Sequence, residues 1–251
     1  MKWIKSVFGR LFALYALVLF ILTLVVIIIP VWFSTFIRDE YKRTSIIMAE
    51  LRIWMAVYLR LICCPVKQKG LQHFKSGQNY VVVFNHNSLM DVPVSTTGIP
   101  GPNKTLAKVE IARVPVFGTI YKAGSVLVDR SSEQSRRSSL EKMKMVLEQG
   151  MHLALYPEGT RNKSNKPLKS FYEGAFSVAI AAQKPVIPAL IFSTRSILPP
   201  DKPFYAWPHS IGLHFLEPVG TGGLTQRDVP MLKEKIFGIM SDYYSQHAPV
   251  I

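Results

Sequence analysis

The sequence is poor in cysteine and in acid. Its only two cysteines, Cys63 and Cys64, are adjacent. That spacing supports neither a disulfide framework nor a metal site, so reduced, packed thiols in a cytoplasmic setting are expected. Asp and Glu number 16 against 30 Lys and Arg, a net charge of +14, which calls for an anionic partner. Zinc-ligand spacing, a helix-turn-helix pattern and a concentrated basic run are all missing, which argues against nucleic acid. Residues 1–70 hold ten Lys/Arg and three Asp/Glu, so half of the net charge (+7) lies on the first 70 residues. Anionic headgroups attract a basic residue near the surface by about 1 kcal/mol, and an anionic membrane surface is the expected partner.

Charge is absent altogether from Leu11 to Phe33, where Tyr15 is the one ionisable side chain. A helix over this run extends roughly 34 Å, about the thickness of a hydrocarbon core. The apolar region of a signal peptide is about 7–15 residues and ends in a small-residue cleavage site; neither feature is present, so the segment is expected to be retained. Lys2, Lys5 and Arg10 precede it and Arg38, Lys42 and Arg43 come after it, so the positive-inside rule selects no orientation. A second apolar segment, Ser45 to Cys64, carries Glu50, Arg52 and Arg60, costly at a bilayer centre; it reads as interfacial or as packed on the domain that begins at Pro65. Pro30 is expected to kink or stop the first helix. A helical hairpin dipping into one leaflet and a single span plus an interfacial helix both fit. Either way residues 1–64 form an N-terminal membrane-associated unit and residues 65–251 a second domain.

From Pro65 onward short apolar runs rich in β-branched and aromatic residues alternate with helical stretches. Strands are expected at Tyr80–Phe84, Ser125–Val128, His152–Tyr156, Val186–Phe192 and Ile211–Leu216. Helices are expected from near Ser88, over Ser132–Gln149, over Tyr172–Gln183 and over Val229–Ser245. In the second of these, Leu140, Met143 and Leu147 repeat at helical spacing and read as a core face. The alternation predicts an α/β fold with a mostly parallel sheet flanked by helices. In such sheets ligands bind beyond the carboxyl ends of the strands.

The stretch VVVFNHNSLMD places His86 just past one such end and Asp91 five residues on. With Ser88 as N-cap of the next helix, the aspartate can turn back toward the imidazole. A carboxylate on one ring nitrogen fixes the tautomer and leaves the other nitrogen to take a proton from a hydroxyl; a histidine merely ending a strand accounts for this motif equally well. Three further stretches end on polar groups or break a strand: AGSVLVDR on Asp129-Arg130, LALYPEGTRN on the turn from Pro157 to Asn162, and KPVIPAL, which carries Pro188.

Asn-His-x4-Asp, Gly-x4-Asp-Arg, Pro-Glu-Gly-Thr-Arg and Val-Ile-Pro, in that order, resemble the motifs of the glycerophospholipid acyltransferase family, and within it the bacterial enzymes that acylate 1-acyl-sn-glycerol 3-phosphate. The resemblance runs from about Pro65 to the carboxyl end. It implies His86 as base and Asp91 as its partner, Arg130 and the stretch Glu158, Gly159, Thr160 and Arg161 as the binding site of the acceptor phosphate, and Pro188 as a wall of the pocket. It also implies a two-helix membrane segment at the amino end. Asn87, Tyr156 and Asn162 stand where other residues are commoner in that family. Independently of the resemblance, Gly159 allows close backbone approach to an anion, Thr160 offers a hydroxyl and Arg161 a planar fork matched to phosphate oxygens. Glu158 cannot face a phosphate and is expected to hold an arginine or a backbone amide.

The implied reaction is direct: His86 deprotonates the sn-2 hydroxyl of lysophosphatidic acid, whose oxygen attacks the thioester of acyl-CoA or of acyl carrier protein, giving phosphatidic acid. Backbone amides or a nearby cation steady the oxyanion. No metal and no cofactor beyond the thioester co-substrate is expected, and the site is expected at the cytoplasmic face of the inner membrane. Another lysophospholipid acceptor, a membrane hydrolase using the same His-Asp pair on water, and a non-catalytic lipid binder are the alternatives. Lys104 and Lys108 are expected to be solvated, and His73, His152, His209, His214 and His247 have no partnered motif.

Overall fold

The structure, a computed structural model, describes residues 2–114, 117–129, 133–164 and 166–248. The chain opens with helix α1 (Lys2–Ser34) and, after a short turn, helix α2 (Glu40–Leu61). Asp39 starts α2 because its carboxylate accepts the Lys42 N–H at 2.8 Å, satisfying one of the orphan amides of the first turn. Pro30 does not stop α1, which continues to Ser34.

Strands and helices then alternate: β1 (Val66–Lys69), β2 (Val81–Phe84), α3 (Asp91–Gly98), β3 (Asn103–Lys108), α4 (Phe117–Ala123), β4 (Ser125–Val128), α5 (Glu133–Glu148), β5 (His152–Leu155), α6 (Gly174–Ala181), β6 (Val186–Phe192), α7 (Thr194–Ile197), β7 (Ile211–Phe215) and α8 (Val229–His247). Among the described residues the strands form one sheet in the order β1-β7-β6-β2-β5-β3-β4. Strands β6, β2, β5, β3 and β4 are mutually parallel, while β7 runs antiparallel to β6 and carries β1 beside it in parallel. The α/β expectation holds.

Two strands went unread in the sequence. In β1 the pattern Val-Lys-Gln-Lys is mostly exposed, as befits a sheet edge guarded by charge. In β3 buried polar groups take the place of apolar ones: Asn103 donates to Thr96 O at 2.9 Å and Thr105 Oγ1 to Ala154 O at 2.8 Å.

Side chains alternate across the sheet with period two. Val82 and Phe84 face a core shared with α1, α2 and α3, whereas Val81 and Val83 face a second core with α5, α6 and α8. Met143 and Leu147 of α5 are buried in that second core and Leu140 packs against it. The first core determines how the amino-terminal segment sits. Ile47, Met48, Leu51, Trp54, Met55, Tyr58 and Leu59 of α2 are buried among residues of β2, β6 and β7, so residues 1–64 and 65–251 share one core.

Helix α1 lies antiparallel on α2, since Tyr15 donates to Leu61 O at one end and Ser34 to Glu50 Oε1 at the other. At ~1.5 Å per residue it is about 50 Å long, and it is the one helix among the described residues long and apolar enough to cross a membrane. Leu11, Ile21, Leu22, Val25, Val26, Ile29 and Phe33 are exposed along it; an apolar face of this extent makes the chain a membrane-associated protein.

His152, at the start of β5, is a structural histidine. Its Nδ1 accepts the Tyr80 N–H at 3.1 Å and its ring stacks on Tyr80 at 5.7 Å. Burial first, and the Arg52 charge second, lower its pKa from 6.5 to about 4. The folded state therefore holds it neutral, so its contribution is complete above the unfolded value of 6.5 and is lost as pH falls toward 4. The shift corresponds to roughly 3 kcal/mol. The thermal midpoint is expected to drop across this window, and in His152→Gln the drop should be visibly smaller when both proteins are followed by circular dichroism. Equal drops would assign the acid sensitivity to another group.

Candidate active site

Because β2, β3, β4, β5 and β6 are parallel, their carboxyl ends share one edge of the sheet. The chain leaves β2 toward β3, skips a position that β5 later fills, and then places β6 on the other side of β2. The crevice at such a reversal of strand order is where open α/β sheets bind ligands. His86 stands there.

Asn85 prolongs β2 by imitating a strand residue: its side chain accepts Ile191 N–H at 2.7 Å and donates to Ile191 O at 3.0 Å. His86 comes next, with its backbone N–H donated to Glu158 Oε1 at 2.9 Å and its carbonyl accepting Asn162 N–H at 2.6 Å. The imidazole is 17% exposed, and its Nδ1 lies 2.9 Å from Asp91 Oδ2. A carboxylate can only accept, so Nδ1 is the donor of this bond. The Tyr156 ring lies 4.4 Å from the imidazole centroid-to-centroid.

Asp91 is 1% exposed. Its Oδ2 also accepts the N–H groups of Asn87 at 2.6 Å and Ser88 at 2.7 Å, and its Oδ1 accepts the Thr194 hydroxyl at 2.6 Å. Helix α3 begins at Asp91 rather than at Ser88, because this carboxylate and not the serine hydroxyl gathers the loop amides; Ser88 Oγ accepts only Met90 N–H at 3.3 Å. Tyr156 donates to or accepts from Ser95 Oγ at 2.6 Å. Burial, then the Asp91 charge, raise its phenol well above the ordinary 10, so it stays protonated beside the pair.

The turn after β5 is held by Glu158, also 1% exposed. Besides the His86 amide it accepts Lys169 N–H at 3.1 Å. Burial raises its pKa, with the two amides pulling the other way. Glu158 thus holds backbone, one of the two roles expected of it. Gly159 adopts φ +69°, a left-handed conformation that favours glycine, and a Cβ there would lie 2.8 Å from the ring of the exposed Tyr172, which would have to shift. Thr160 Oγ1 accepts Lys169 Nζ at 2.8 Å. Arg161 is half-buried, and among the described residues no carboxylate is paired with its guanidinium. Asn162, fully buried, ties the next loop through Lys166 O, Ser164 N and Ser164 Oγ.

Fold and turn thus bring His86, Asp91, Glu158, Gly159, Thr160 and Arg161 to one edge. Arg130 lies outside the described residues. Pro188 is buried in β6 opposite Val83, three residues before His86 in register and so about 10 Å further down the strands; its carbonyl accepts Leu216 N–H, and its missing N–H falls where β7 ends. Lys104 is not solvated as expected: it is buried and paired with Glu40 at the start of α2. Lys108 is exposed. Asn85, Thr194 and Lys169 were not singled out in the sequence. Asn85 opens the Asn-His-x4-Asp motif without having been given a role, but Thr194 reaches Asp91 across 103 positions, a separation for which single-sequence patterns carry no signal.

The sequence matches the family model described as Acyltransferase over residues 65–192. It is 31% identical over 191 residues to the 1-acyl-sn-glycerol-3-phosphate acyltransferase alpha of Mus musculus, covering 75% of this chain and 67% of that protein. It is 26% identical over 189 residues to the 1-acyl-sn-glycerol-3-phosphate acyltransferase of Cocos nucifera, covering 71% and 58%. The fold is shared with the crystal structure of the 1-acyl-sn-glycerophosphate (LPA) acyltransferase PlsC from Thermotoga maritima, with a TM-score of 0.77 and 22% identity over 98% of this chain and 97% of that one. The matched residues 65–192 span about half of the chain and take in both His86 with its aspartate and the Glu158–Arg161 turn, so the edge that gathers these groups lies inside the shared region, and the chain belongs to the acyltransferase family.

Proposed function

We propose that this enzyme transfers the acyl group of an acyl thioester, carried by coenzyme A or acyl carrier protein, to the sn-2 hydroxyl of 1-acyl-sn-glycerol 3-phosphate. The observation that carries the reading is the His86–Asp91 pair at 2.9 Å, beside a turn whose Arg161 has no carboxylate partner among the described residues. Nε2 takes the hydroxyl proton as the oxygen attacks the thioester carbonyl. The tetrahedral adduct expels the thiolate, and the imidazolium returns the proton to sulfur. Asp91 stabilises that imidazolium, and the Tyr156 ring face lies within cation–π reach of it. Arg161, Thr160 and Lys169 offer the acceptor phosphate a fork, a hydroxyl and an ammonium. The chemistry uses the thioester as co-substrate and asks for no further cofactor.

The membrane placement rests on the shared core. One side of α2 is buried with the sheet and α1 lies lengthwise along it, so a transverse α1 would drag α2 and the catalytic domain into the bilayer. In this proposal α1 enters one leaflet sideways, both of its ends stay on the cytoplasmic side, and the anionic surface is held by the basic residues around it.

Three outcomes test the reading. His86→Ala is expected to lose roughly a hundredfold to ten-thousandfold in kcat while remaining folded and membrane-bound; near-wild-type transfer in that variant would overturn the mechanism, and thioester consumption without acceptor would identify a hydrolase instead. Arg161→Ala should raise the acceptor KM about tenfold to a hundredfold, the value of a charge-assisted bond, and leave the donor KM unchanged; equal rates on monoacylglycerol and lysophosphatidic acid in the wild type would remove the phosphate site. For topology, single cysteines at Lys5 and Lys69, in a background lacking Cys63 and Cys64, should be labelled from the same side of sealed vesicles, whereas opposite sides would establish a full span.

A further inference from the structure

The Asp91 carboxylate has donors of two kinds. Those on Oδ2 are local: the amides of Asn87 and Ser88 and the His86 ring, all within five residues. Among the described residues the one donor on Oδ1 comes from across the fold, the Thr194 hydroxyl at 2.6 Å. We infer that Thr194 is a positioning residue of the acyl-transfer machinery, fixing the rotation of the Asp91 carboxylate so that Oδ2 stays in line with His86 Nδ1. The inference rests on the reading of His86 as the base.

Thr194 is suited to this. It is 1% exposed, and it leads α7 directly after β6, the strand paired with β2. Ser193 before it adopts φ +71°, a left-handed conformation uncommon for a residue with a Cβ, and its carbonyl accepts the N–H groups of Ser196 and Ile197. The sharp turn delivers the threonine hydroxyl sideways toward α3 instead of along the strand. Asn85 locks the same two strands together one residue before His86 by its paired bonds to Ile191. A β-branched side chain is stiff about χ1, so a rigid donor meets a carboxylate whose own loop leaves its second oxygen otherwise without a hydrogen-bond donor. Without Thr194 that oxygen is buried and unpaired, and the carboxylate plane turns toward whatever polar group it can reach.

Full-length enzyme in detergent, assayed with lysophosphatidic acid and acyl-CoA, tests this. Thr194→Val keeps the shape and removes the hydroxyl; kcat is expected to fall about tenfold to a hundredfold, with both KM values within twofold of wild type by roughly the same reasoning, since no substrate contact is lost. Thr194→Ser should restore most of kcat. In an Asp91→Asn background, adding Thr194→Val should cost little more, because the threonine acts through that carboxylate. Thermal unfolding accompanies every variant, and if Thr194→Val does not fold, Thr194→Ala takes its place. Wild-type kcat in a folded Thr194→Val, a loss confined to KM, or losses that multiply independently with Asp91→Asn would each overturn the inference. His86→Ala in the same assay separates the two levels: an active His86→Ala removes the base itself, whereas an inactive one beside an unimpaired Thr194→Val removes only the positioning role.

Discussion

A carboxylate buried as deeply as that of Asp91 costs several kcal/mol to take out of water, and the edge at the carboxyl ends of the strands is arranged so that this cost is met. Four donors surround it: two amides of the loop after β2, the ring of His86 and the hydroxyl of Thr194. Each donor belongs to a different constraint. The loop amides fold the segment after β2 around the aspartate, the ring is thereby oriented with one nitrogen occupied, and the threonine depends on β6 standing next to β2. Remove the neighbouring strand and the carboxylate loses the Thr194 donor on Oδ1.

A second buried carboxylate repeats the principle. Glu158 bonds the backbone of His86 and of Lys169 and, among the described residues, neutralises no arginine. Two acids at this edge are thus turned inward onto N–H groups, so that the positive charge of Arg161 and Lys169 is not consumed by ion pairing within the site. A basic protein with 30 Lys and Arg against 16 acids can sustain an electropositive rim, and the inward orientation of Asp91 and Glu158 leaves that rim available to the anionic acceptor of the proposed function.

The amino-terminal helices are integrated by packing rather than appended. Helix α2 supplies one wall of the core, Lys104 from β3 pairs with Glu40 at its start, and Arg52 from its middle donates to the carbonyls of Ile99 and Gly101 just past α3. Helix α3 is the element that begins with Asp91. The long apolar helix therefore rests on a helix that also braces the helix beginning at Asp91, and in the proposed function this orients the domain on the surface from which the acceptor comes.

Much of this was legible in the sequence. The uncharged run stood out by its composition, and five of the seven described strands with helices α3, α5, α6 and α8 emerged from their apolar runs, because those segments are buried on one face or two; the short helices α4 and α7 went unread. The ordered motifs around His86 and Glu158 were legible because chemistry demands particular side chains at short spacing. What the sequence alone did not determine depends on long-range adjacency. Strands β1 and β3 escaped because an edge strand and a strand with partnered polar groups do not read as apolar runs. Lys104 read as solvated because its partner Glu40 is 64 positions away, and Pro188 read as part of the pocket although pairing with Val83 sets it below the edge. The sequence by itself determined which residues are candidates for proton transfer and phosphate binding; the tertiary structure decided that β6 lies against β2, and with it which hydroxyl bonds the aspartate, since a hydrogen bond across 103 positions exists only once the sheet has formed.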